Sequence, residues 1–211
     1  MKTDDFIRSL AADSAPPWRF RSLATIGVAA SVAVAAALFF ALVGVRADIA
    51  QAMESVRFLF KFVVTIALAA TAVRAMIGLG RPGEPVGPRM TALAIVPLLA
   101  LAGAGAELLT LPRSLWAPSL VGHNARFCLT LIPLLAAGPL ICLLAVLRKG
   151  APSNPGLAGA AAGLAASGVG ATFYAANCND DSPLFVVTWY TIAILMVTAA
   201  GYLIGRKVLR W

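Results

Sequence analysis

The 211 residues are 60% hydrophobic and only 12% charged, with a mean hydropathy of +0.87, a balance that excludes an ordinary water-soluble domain. The net charge of +8 does not point to nucleic acid, because the Lys and Arg residues flank apolar runs and never form a basic face interleaved with aromatics. Three cysteines without a Cys-x-x-Cys pair argue against a disulfide-built scaffold, a zinc ribbon and a dithiol oxidoreductase.

Residues 1–22 form a leader with a pattern of its own. Thr3 is placed to cap a helix, Asp4 and Asp5 suit its first turn, Phe6, Ile7, Leu10 and Ala11 share one face, and Pro16-Pro17 stops it. About three turns are marginal alone in water, so the segment needs a surface to fold against. Lys2 and Arg8 are outnumbered by Asp4, Asp5 and Asp13. That balance favours a protein groove, with a membrane surface or an unstructured tail as the alternatives. The same acids, and the length of the apolar run that follows, exclude a secretory signal.

Residues 23–211 are expected to be a single all-α domain, a bundle of six transmembrane helices. The apolar runs are 23–45, 58–79, 90–111, 126–147, 156–176 and 184–205, each near the roughly 20 residues that a bilayer core requires. Residues 81–88, 112–124, 150–155 and 177–183 are rich in helix-ending residues and read as turns. Placing both termini in the cytoplasm puts 12 of the 17 Lys and Arg residues on that side and 5 outside, the bias expected of a multi-pass protein of a bacterial inner membrane.

Within the runs, Gly159 and Gly163, and Gly201 and Gly205, are each four apart and share a helix face. They predict close backbone packing between the fifth and sixth helices, with a homodimer seam as the alternative. Glu107 and Arg74 lie about a turn from span ends and are expected to reach the interface by snorkelling. Pro97, Pro133 and Pro139 bend helices, but no acid or base beside them makes a coupled-ion site, which argues against a proton-driven transporter.

Cys128 opens the fourth run and Cys178 lies in the turn before the sixth, so the topology puts both at the outer boundary. They can meet as a disulfide or as thiolates on a soft metal ion, or remain two unrelated buried thiols. His123, Asp180 and Asp181 flank them as possible accessory ligands, although the spacing matches no standard metal motif. Cys142 is too far along its helix to join them and reads as a small buried hydrophobe. Ser182 before Pro183 suits a helix N-cap, with Asp180 and Asp181 favouring the same positive end. Trp116 and Trp211 read as interface anchors.

The chain resembles the NrsF-like family of bacterial inner-membrane anti-sigma factors. The resemblance rests on Met1 to Asp13, Leu147 to Pro152, Cys178 to Phe185 and Gly205 to Trp211. It implies a six-helix regulator without enzyme activity that holds an extracytoplasmic-function sigma factor through cytoplasmic parts. It also implies that Cys128 and Cys178 respond to heavy-metal or oxidative stress, with no resident cofactor and at most a transient metal ion at the pair. Relatives are expected to carry His before the second cysteine, where this chain has Asn177; the loss weakens metal coordination more than thiol oxidation. Modification of the thiols would then move the last three helices and alter a cytoplasmic surface made of the leader and the loops at Arg89 and Arg148. The rivals are a small permease-like protein, which would need a polar path across the membrane, and a structural assembly factor.

Overall fold

The computed structural model describes residues 20–81 and 87–210, except the side chains of Pro88 and Arg89, together with Thr3, Asp5, Ile7 and Arg8. Every regular element among these residues is helical. In chain order they are α1 (Phe20–Leu42), α2 (Ile49–Ala52), α3 (Val56–Leu79), α4 (Gly87–Thr110), a 3-10 turn at Arg113–Leu115, α5 (Trp116–Val121), α6 (Ala125–Leu147), α7 (Pro155–Ala175) and α8 (Pro183–Val208). Six of them, α1, α3, α4, α6, α7 and α8, are long and apolar enough to cross a membrane. Their outer faces expose Ile26, Leu98, Leu109 and Ile141, the surface a helix needs when lipid is its solvent.

The ends of the spans follow local chemistry more closely than hydropathy does. The first apolar run reaches Val45, but α1 stops at Leu42 because the N–H groups of Val43 and Gly44 both donate to the Phe39 carbonyl. Gly44, at φ +75°, supplies the left-handed residue that such a helix end uses. Residues 112–124, expected as a plain turn, hold a 3-10 turn and α5. Trp116 Nε1 donates to the Leu111 carbonyl at 3.0 Å there.

α7 is the centre of the bundle, with α8, α3 and α6 packed around it, α1 outside α6 and α4 outside α3. Composition explains the arrangement: α7 is built largely of Ala and Gly, so its neighbours approach to backbone contact, the main source of helix affinity where expulsion from water is absent. A Cβ on Gly163 would stand 2.8 Å from Thr198 Cα, and one on Gly205 2.8 Å from Gly159 Cα. The two glycine pairs therefore face each other within one chain, where they leave no seam for a second copy. Cys142 is half-buried, not buried as expected, and Arg74 is exposed.

The charges divide unequally between the two ends of the bundle. By sequence position relative to the six runs, the side of the termini has 12 cations and four acids, and the other side has five of each. The whole net charge therefore belongs to one end.

Candidate functional site: a thiol pair beneath a clamp of charges

The turn between α7 and α8 is fastened on every side. Cys178 N donates to the Tyr174 carbonyl at 3.0 Å, Arg46 N donates to the Ala176 carbonyl at 3.1 Å, and Asn177 Nδ2 donates to the Gly44 carbonyl at 3.1 Å. Asp180 Oδ2 accepts from the backbone N–H groups of His123 at 2.9 Å and Asn124 at 2.7 Å, and from Asn124 Nδ2 at 3.0 Å. Those donors precede α6, so Asp180 serves the positive end of α6. Gly122 at φ +58° makes the close approach possible, since a Cβ there would meet Asp180 Cγ at 2.9 Å.

Two cations converge on the Cys178 carbonyl. Lys61 Nζ donates to it at 2.8 Å and Arg46 Nη1 at 3.2 Å, and both pair with the Asp181 carboxylate, at 2.6 Å and 3.1 Å. Arg46 also holds Asp48 through two 2.6 Å bonds. The Lys61 side chain is completely buried, with its ammonium 5.1 Å from the centre of the Phe58 ring. Burial of that kind is tolerated only where the charge is paired and its donors are used. Hydrogen bonding to Arg46 holds the Asp48 carboxyl below the usual carboxylate range. The Arg46 guanidinium is held more firmly charged than usual, chiefly by Asp48 and against the effect of its burial.

A third buried charge belongs to α4. Glu107 Oε2 accepts from the Ser182 hydroxyl at 2.6 Å and from Leu184 N at 3.0 Å, while Oε1 lies 3.4 Å from Arg57 Nη2. Ser182 caps the same N–H at 3.2 Å. Glu107 thus does not snorkel to the interface as expected. It reinforces the start of α8, the place expected for Asp180 and Asp181, whose carboxylates are drawn instead to α6 and to Arg46 and Lys61.

Beneath this clamp the structure brings Cys128 and Cys178 together. Both are free thiols with almost no exposure, in one apolar cluster with Phe39, Ile132, Tyr174, Phe185 and Tyr190. Burial pushes the Cys178 thiol up from its ordinary value, against the pull of the Lys61 ammonium. Tyr190 belongs to a π-helical turn, Val186–Tyr190, that points its ring inward, while Trp189 Nε1 reaches out to the Leu120 carbonyl at 2.9 Å.

The other expected site residues are placed differently. His123 is 97% exposed, with Nδ1 3.7 Å from Asp180. Among the described residues no three His, Cys, Asp or Glu side chains are grouped to hold a metal ion. In the leader, Asp5 and Ile7 are helical and exposed; Asp4, Phe6 and Leu10 lie outside the described residues, as does Trp211. Sequence reasoning missed Arg46, Lys61 and Glu107. The signal that could have found them is the balance of five acids against five cations on the side of the runs opposite the termini, which invites pairing.

Comparison with known proteins matches residues 10–211 to the family described as NrsF, Negative regulator of sigma F. The chain is 35% identical, with both chains covered in full, to the Anti-sigma-F factor NrsF of Caulobacter vibrioides. It is 33% identical, again over both full lengths, to the Probable anti-sigma-F factor NrsF of Azospira oryzae. No solved structure matches.

Proposed function

The chain belongs to the NrsF family of negative regulators of sigma F, and from that membership we propose that it is a membrane-held anti-sigma factor that releases an extracytoplasmic-function sigma factor when its thiol pair is modified. The observation that carries the reading is the match to the family along nearly the whole chain. The bilayer anchors the protein, and the leader, through Asp4, Asp5, Phe6, Ile7 and Leu10, grips the sigma factor in the cytoplasm. Exposure of Ile7, 57% accessible, supports a leader that needs a partner. The positive charge gathered at the end with the termini supports its cytoplasmic placement in an inner membrane.

Cys128 and Cys178 are the sensor. Their joining as a disulfide passes two electrons to an oxidant and releases two protons. A soft metal ion instead bridges them as two thiolates. The hydrogen bonds of the Cys178 turn support the transmission step, because they reach the ends of α1, α3, α4 and α6, so displacement of the turn is felt across the bundle. The two states must differ in affinity for the signal by a few kcal/mol to switch the population.

The test pairs capture with transcription. Full-length protein purified from membranes should retain a sigma factor that a chain lacking residues 1–15 loses; capture of none would end the anti-sigma reading. Cys128→Ser/Cys178→Ser should abolish induction by metal or oxidant, and unchanged induction would remove the sensor role alone. Labelling of a cysteine introduced near Pro16 by an impermeant reagent in intact cells would overturn the orientation.

A further inference from the structure

At the end of the bundle opposite the thiols, the chain leaves α8 at Val208 and Leu209 turns back into the core. Its side chain is 2% exposed, packed in the cluster that holds Leu144 and Leu147. This anchor carries Arg210 back beside the end of α6. There Arg210, Arg148 and Lys149 line one cavity of about 440 Å³, walled by Ala145, Val208 and Leu209. The three cations are exposed, and none of their side chains has an ion pair or hydrogen bond to another described residue. In contrast, Arg46, Arg57 and Lys61 at the other end each have a carboxylate partner.

Below the cationic mouth the walls become apolar and open. Ile204, one turn deeper on the face of Val208, and Ile141, one turn deeper on the face of Ala145, are 40% and 69% exposed. Along the helix axes the surface is amphipathic: cations at the helix ends and exposed aliphatic side chains a turn or more deeper. We propose that this cavity is a binding site for the phosphate of an anionic phospholipid, whose acyl chains run along Ile141 and Ile204. Arginine suits the role, since its planar fork meets two phosphate oxygens at once. Basic pockets between spanning helices at the cytoplasmic face are a known setting for such headgroups. An acidic segment of a soluble protein would satisfy the mouth and make no use of the exposed aliphatic surface beneath it, which is why the lipid is the occupant the geometry favours. A bound lipid would join the ends of α6 and α8, the helices that carry Cys128 and follow Cys178 at the far side.

Native mass spectrometry of the full chain, released from detergent micelles doped with phosphatidylglycerol or phosphatidylcholine, tests the site. Wild type should retain one phosphatidylglycerol in preference to phosphatidylcholine. Arg148→Gln and Arg210→Gln should each weaken retention about fivefold, from about 1 kcal/mol for each cation. Lys207→Gln, a cation of the same end outside the cavity, should leave retention unchanged. Equal retention of both lipids by wild type overturns the proposal without any variant, as does full retention by Arg148→Gln/Arg210→Gln. Displacement of the lipid by millimolar inorganic phosphate would overturn it in favour of a free anion. Loss of sigma-factor capture by these variants with no lipid bound to wild type would overturn it in favour of an acidic protein segment.

Discussion

Lys61 is one of two cations in the second apolar run, and burial makes it consequential. With Nζ shared between Asp181 and the Cys178 carbonyl, Lys61→Met leaves both groups with Arg46 as their remaining cation. Leaving a buried charge with no partner costs about 3–5 kcal/mol, and the Arg46 contact keeps the loss here below that range. Thermal unfolding in detergent should show a loss for Lys61→Met and a larger one for Lys61→Met/Arg46→Met, because the double change strips Asp181 of both its cations. The Cys178 thiol carries a pH signature of its own. Its folded-state pKa lies above the ordinary value of about 8.5. The folded chain therefore keeps a proton that the unfolded chain loses, and the resulting stabilisation is present below about pH 8.5 and fades as pH rises toward the folded value. Alkylation by iodoacetamide, followed on the Cys178 peptide, should be slow at pH 7 and accelerate only at higher pH than in protein unfolded in detergent. Coincident profiles would refute the buried, protonated thiol.

At the scale of elements, α7 and α8 meet through glycine where most helix pairs meet through side chains. Gly163→Ala would set a Cβ 2.8 Å from the Thr198 Cα, and backbone cannot yield as a flexible side chain does. The expected cost is about 1–3 kcal/mol, as for other overpacked positions. Gly105 in α4 is the matched control, with nothing within 4 Å of an added Cβ. Gly105→Ala should be neutral or stabilising by about 0.4–1 kcal/mol. Comparable losses from both substitutions, read as thermal midpoints, would show that the contact contributes nothing beyond helix propensity. The glycine spacing was legible from sequence because i, i+4 positions must share a face. The π turn at Val186–Tyr190 was not, since nothing in Val-Val-Thr-Trp-Tyr distinguishes it from an ordinary helical turn. It turns Tyr190 into the thiol cluster and leaves Trp189 to reach Leu120.

For the whole molecule, the number of spans followed from hydropathy, because a bilayer imposes a length that a linear reading can measure. Partner choice escaped that reading. Asp180 and Asp181 stand next to the start of α8, and short-range logic assigns them to it; the fold gives that end to Ser182 and to Glu107 from another span. The carboxylates go to α6, Arg46 and Lys61 instead. Such pairs join residues 50 to 135 apart in the chain, and a charge buried in a low-dielectric bundle is satisfied by whichever opposite charge the packing brings nearest. Sequence alone determined the solvent, the six helices and which small residues they share, since each is a property of one segment against lipid. The tertiary structure alone decided that the thiols lie in one apolar cluster beneath a closed set of ion pairs, because that depends on which helix ends converge.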